Sequence, residues 1–118
     1  MVLQPEEWVR QHCVQFLINE KNYPKSLINV EKELNINGVK KRYDIVIYNS
    51  DGSILLIVEC KSYKVKITQD TFDQVARYNL ALNAEYLMTT NGINHYYCIL
   101  DYENKTYNFL KEIPDYKS

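Results

Sequence analysis

Residues 42–61 read RYDIVIYNSDGSILLIVECK. Two apolar runs rich in Ile, Val and Leu flank Asp51-Gly52, a dipeptide suited to a two-residue hairpin turn with positive φ at both positions. A turn on that pair sets Ser50 opposite Ser53, Ile47 opposite Leu56 and Asp44 opposite Glu59. Directly opposed residues have Cβ atoms roughly 5 Å apart, which lets both carboxylates reach one divalent cation. Lys61 follows two positions after Glu59 and so shares its face of the sheet. Two carboxylates with an ammonium beside them form the set that metal-assisted phosphodiester cleavage requires. The metal activates a water, and the lysine positions that water or offsets developing charge.

Working outward, Asn37-Gly38 is a second hairpin signal, and its register sets Glu31 opposite Asp44. Glu31, Asp44 and Glu59 are then expected in a row across three strands. On that face residues 27–36, LINVEKELNI, offer Asn29, Glu31, Glu33 and Asn35, while Ile28, Val30, Leu34 and Ile36 make the other face oily. Carboxylates in a row repel one another, so a metal, or Arg42 and Lys61, is expected among them.

The rest of the chain supplies the frame. Pro5, Glu6 and Glu7 suit the first turn of a helix whose apolar stripe is Val9, Cys13, Phe16 and Leu17, ending near Asn22 to Pro24. Residues 68–83 are expected as a second helix with Phe72, Val75, Ala76 and Leu82 on one stripe, and Thr71 to Gln74 fits a capping box. EYLMTT, residues 85–90, reads as a strand stopping at Asn91-Gly92, and HYYCILDY and TYNFL as a closing hairpin. A helix crossing between strands makes them parallel neighbours, so the expected product is an α/β fold, a mixed sheet with helices packed on it.

Composition bounds the rest. The 118 residues, 46% of them hydrophobic, suffice for one domain, residues 1–118. No run approaches the ~20 apolar residues of a membrane span, and MVLQPEEW lacks the basic and apolar regions of a secretion signal. Cys13, Cys60 and Cys98 are odd in number and widely spaced, which argues against disulfides and zinc and for a cytoplasmic protein. Cys60 alternates away from Glu59 and Lys61 into the core. His12 and His95 have no partner at metal-ligand spacing and read as structural or surface residues. The net charge is only −1, but residues 39–80 hold seven Lys or Arg against five Asp or Glu. Lys40, Lys41, Arg42, Lys61, Lys64, Lys66 and Arg77 surround the carboxylates, as a phosphate backbone would favour. Charge alone is met as well by a solvated face of ordinary strands.

With these residues in place, the chain resembles the PD-(D/E)xK nuclease superfamily, through Asp44 and Glu59-Cys60-Lys61. Residues 74–78, QVARY, resemble the QxxxY motif of RecB-like nucleases. The phrases PEEWVRQ, KRYDIVIY, IVECKSY, QVARYN and TTNG together resemble the amino-terminal domain of type I restriction enzyme R subunits, over roughly residues 5–100. The resemblance implies a restriction-endonuclease-like αβββαβ core, extended here by a C-terminal β-hairpin. It implies that Asp44 and Glu59 bind Mg²⁺ (or Mn²⁺), that Lys61 activates the attacking water, and that Gln74 and Tyr78 support the site. It also implies a glutamate from the first helix, Glu6 in preference to Glu7. DNA is the implied substrate, with a homodimer or other restriction-system subunits as partners and no membrane. One departure is plain. Gly38, Gly52 and Gly92 are the only glycines, so a GxxxxGK[ST] loop for ATP is absent. A non-catalytic nucleic-acid-binding or assembly module of the same fold is the alternative from a different class.

Overall fold

The structure is a computed structural model that describes residues 5–36 and 38–117, with the Tyr78 side chain outside the description. Helix α1 (Pro5–Asn19) is followed by strands β1 (Ile28–Ile36), β2 (Val39–Tyr48) and β3 (Ile54–Cys60). Helix α2 (Gln69–Asn79) leads to β4 (Tyr86–Thr90), β5 (His95–Asp101) and β6 (Thr106–Leu110). The six strands lie in sequence order in one sheet. Only β3 and β4, the pair that α2 bridges, run parallel.

The helices cover opposite faces. Val9, Cys13 and Leu17 of α1 pack on Ile45, Ile47, Leu56, Val58, Cys60 and Met88. Phe72 and Ala76 of α2 pack on Tyr43, Val46, Ile57, Leu87, Cys98 and Leu100. Burial on both faces explains why β3 reads as the unbroken run LLIV instead of an alternating one. Cys13, Cys60 and Cys98 are buried and unbridged, as their spacing implied. After β6 the chain returns to the end of α1, where Tyr23 donates to the Pro114 carbonyl at 2.7 Å and Ile113 is fully buried.

Three local expectations are corrected. The β2–β3 connection is not a two-residue turn. The Gly52 N–H bonds the Asn49 carbonyl at 3.0 Å, the Asn49 N–H bonds the Ser53 carbonyl at 2.8 Å, and only Gly52 has positive φ. This is a three-residue loop closed by a glycine bulge, and Asn49, not Ser50, faces Ser53. A second irregularity between Ile47 and Tyr48 restores Ile47 opposite Leu56, so the expected register survives beyond it. In α2, Thr68 is the N-cap and accepts from the Thr71 N–H at 3.2 Å. The helix therefore starts where it was expected to, but its cap is Thr68 and not Thr71, so Gln74 is no capping-box partner and stands exposed in mid-helix. It also ends at Asn79, followed by a 3₁₀ turn and Asn83 at φ 58, a left-handed cap.

The third correction concerns β1. Its pairing with β2 has the expected register, Val30 opposite Ile45 and Lys32 opposite Tyr43. Glu31 between them has φ 51. A non-glycine residue in the left-handed region at mid-strand breaks the alternation of faces. Ile28 accordingly packs with the α1 core and Leu34 and Ile36 with the α2 core, instead of sharing one oily face. Asn37 of the β1–β2 turn lies outside the described residues; Gly38 follows at φ 82, its N–H bonded to Asn35 Oδ1.

Candidate active site

The β2–β3 ladder ends at Ile45 opposite Val58. One step further, the Asp44 side chain takes the place of a ladder carbonyl: its Oδ2 accepts the Cys60 N–H at 2.8 Å. β3 meanwhile continues along β4, with Glu59 beside Thr89 and Cys60 beside Thr90. The Lys61 N–H then bonds the Thr90 carbonyl at 2.8 Å. Asp44 on β2 and Glu59 and Lys61 at the end of β3 are thus fixed by backbone bonds that reach across to β4. Strand ends hold such groups more rigidly than loops do.

The electrostatics are unfavourable by design of the packing. Burial pushes the Asp44 carboxyl up to about 6. The Cys60 N–H opposes that rise, the charges of Glu59 and Glu6 add to it, and Arg10 works against it. Glu59, only 8% exposed, meets Lys41 Nζ at 3.1 Å, and the same ammonium lies 4.7 Å from the Tyr43 ring centroid. Lys61 is half-buried and forms no ion pair among the described residues.

The other expected residues separate into near and far groups. Glu31 is drawn to Arg10, with Nη1 to Oε1 at 2.6 Å, and that contact holds its carboxyl below the usual range. Arg10 also pairs with Glu7, leaving Glu6 as the α1 carboxylate whose charge reaches Asp44. So Arg10 and Lys41 make the direct ion pairs with the acidic row, and Arg42 adds a weaker effect of its charge on Glu31. Arg42 sits exposed opposite Glu33, and Lys40 is exposed opposite Asn35. Lys64 lies past β3 with its Nζ 5.9 Å from the Tyr63 ring centroid. Arg77 is exposed and borders a depression formed with Lys105 and Tyr107 near the β5–β6 turn. No hydrogen bond or ion pair joins Gln74 or Arg77 to the carboxylates among the described residues, and the Tyr78 side chain is outside the description.

Sequence reading passed over Asn91 as a strand terminator, yet it ties two loops together. Its Nδ2 donates to the Val65 carbonyl at 2.7 Å, while its Oδ1 accepts from the Ile93 and Asn94 N–H groups at 2.9 and 2.7 Å. The segment after Lys61 is thereby fastened to the β4–β5 turn. Gly92 has φ 89, and a Cβ there would meet Trp8 at 3.1 Å and Val9 at 3.3 Å. Only glycine satisfies both the dihedral and the approach of α1.

Among the described residues no three Asp, Glu, His or Cys side chains converge as a complete metal cage. The Asp44–Glu59 pair nonetheless suits Mg²⁺, which is held through one or two carboxylates and keeps waters for the remaining positions. A half-buried carboxylate whose neighbours are also acidic is a place where a cation relieves repulsion.

The family model of the type I restriction enzyme R protein N terminus matches residues 5–114, and the chain belongs to that family. A fragment assigned to the HsdR subunit of a type I restriction enzyme from Vibrio vulnificus YJ016 has the same fold at TM-score 0.60 and 20% identity. The match covers 97% of this chain and 24% of that one, so the chain spans about a quarter of that structure's length. A protein assigned as a nuclease of the DUF820 group from Anabaena variabilis ATCC 29413 is similar at TM-score 0.55 and 13% identity, over 95% of this chain and 70% of that one. No curated protein matches the sequence. No described helix is long and apolar enough to cross a membrane.

Proposed function

We propose that this chain is a Mg²⁺- or Mn²⁺-dependent endodeoxyribonuclease domain of the PD-(D/E)xK type, with the restriction-endonuclease-like αβββαβ core that implies. The observation that carries the proposal is the convergence of Asp44, bonded to the Cys60 N–H, with Glu59 and Lys61 at the end of β3. Asp44 and Glu59 would hold the metal, which supplies Lewis-acid activation of a water and a phosphate oxygen when bound. Lys61, carrying no ion pair among the described residues, orients that water and offsets charge developing on the phosphate. Glu6 bears on Asp44 from α1, and Gln74 would support the site from α2. Lys40, Lys41, Arg42, Lys64 and Arg77 contribute to backbone binding, which fixes position without reading sequence.

One domain presents one site, so cutting both strands calls for a second copy or another restriction-system subunit. Supercoiled plasmid with Mg²⁺ or Mn²⁺ is the assay. Wild type is expected to nick it, and Asp44→Asn and Lys61→Ala to lose nicking while remaining folded; nicking by either purified variant refutes the assignment.

The Lys41–Glu59 pair favours a second reading, a non-catalytic DNA-binding module whose lysine stands where a cation would. That module would bind DNA as well with Asp44→Asn as without it and would never nick.

A further inference from the structure

A cavity of about 250 Å³ lies between α1 and the β4–β5 turn, and Trp8, one of its lining residues, also meets Tyr63 of the segment that follows Lys61. Trp8, His12, Thr90, Gly92, His95 and Tyr97 are among its lining residues. Its size falls between the ~150 Å³ apolar cavity that accepts benzene and the ~300–1,000 Å³ of sites for drug-sized ligands. It therefore suits one planar ring system. Rings share its lining with the apolar Val9, Cys13 and Met88: Trp8 lies 4.2 Å from His12 between centroids, and His95 stacks on Tyr97 at 6.5 Å. Polar groups are few and placed. Thr90 Oγ1 accepts the Gly92 N–H at 3.0 Å and lies 2.6 Å from His95 Nδ1. The hydroxyl and the imidazole thus share one hydrogen bond at the cavity wall, and the second ring nitrogen, Nε2, is left for a ligand.

The approach to this cavity has the same chemistry. Trp8 is 41% exposed and Tyr63 45%, with ring centroids 6.3 Å apart and edge-on, and Lys64 Nζ lies near the Tyr63 ring. Tyr63 is two residues past Lys61, and Lys64 and Lys66 are exposed beside it. Aromatic faces interleaved with lysines are a platform on which successive bases stack while the cations follow the phosphates. Asn91 holds that loop to the turn that forms the cavity's rim, so platform and cavity are one unit.

We propose that the cavity receives one unstacked nucleobase of a single-stranded or locally opened segment, carried past Tyr63 and Trp8 from the Asp44–Glu59–Lys61 site. The choice of ligand rests on the nuclease reading of that site, but base binding is separable from cleavage. Trp8 is the only tryptophan of the chain and reports on it directly.

The test is a fluorescence titration in EDTA, where no cleavage occurs, with a 12-nucleotide single strand and an abasic strand of the same length. The intact strand is expected to quench Trp8 and to bind about tenfold more tightly than the abasic one, the scale of one base–aromatic stack. Trp8→Ala, followed through a 2-aminopurine in the strand, is expected to lose that preference, and Trp8→Phe to keep most of it. Equal binding of intact and abasic strands, or an undiminished preference in folded Trp8→Ala, overturns the proposal even if plasmid nicking stands. A preserved base preference in a protein that never nicks upholds it and removes the nuclease reading instead.

Discussion

Asp44→Asn should make the protein more stable, and only above a defined pH. Asp44 is held at about 6 against an ordinary 3.8, chiefly by burial and by the charges of Glu59 and Glu6. Near pH 3 the residue is protonated in both the native and the unfolded chain and contributes no difference. Between 3.8 and about 6 the native state holds the extra proton, so stability falls as pH rises through that window. Above it the ionised, half-buried carboxylate carries the full penalty. The gap of a little over two pH units corresponds to about 3 kcal/mol, and solvent screening at a half-buried group reduces this to about 1–2 kcal/mol. Asparagine keeps an oxygen to accept the Cys60 N–H and carries no charge. The expected result is a rise in Tm of roughly 3–10 °C at pH 8, shrinking to nothing near pH 4. Thermal denaturation by circular dichroism at the two pH values measures it. A variant less stable than wild type at pH 8, or a gain independent of pH, would refute the argument that the packing holds Asp44 against its own charge.

Other perturbations address other parts of the frame. Gly92→Ala should cost about 1–3 kcal/mol, because the backbone is left-handed there and the new methyl meets Trp8 and Val9; urea denaturation at pH 7 reads it, and an unchanged midpoint would contradict the contact. Asn91→Ala should lower nicking more than it lowers Tm, since it frees the Val65 carbonyl and the loop after Lys61 without touching either core; parallel rate and melting measurements separate the two. Lys41→Met should strengthen Mn²⁺ binding by removing the ammonium from Glu59, at a marked loss of metal-free stability because the buried carboxylate is left unpaired, and calorimetry compares the affinities.

The hairpin signals at Asn37-Gly38 and Asp51-Gly52 were enough to align β1, β2 and β3, because register follows turn position and one misjudged loop was absorbed by a bulge. The parallel β3–β4 pair was legible too, from a helix interposed between two apolar runs. What local pattern did not carry was tertiary. Nothing in LINVEKELNI marks Glu31 as left-handed, and that one dihedral sends Ile28 and Leu34 to different cores. The partners of the acidic row were likewise out of reach: Arg10 arrives from a helix 21 positions upstream of Glu31, and Lys41 reaches Glu59 across 18. Asn91 looked like a turn residue and is one, but its second bond, to Val65, exists only once the sheet has formed.

Calorimetric titration of Mn²⁺ at pH 7.5 into wild type and Asp44→Asn tests the central claim most directly, because it needs neither DNA nor a partner subunit. Asp44 and Glu59 acting as a cation site predicts one binding event in the wild type, where Asp44 is already ionised at this pH, and no binding in the variant. Equal binding by the two proteins, or none by the wild type, would contradict it.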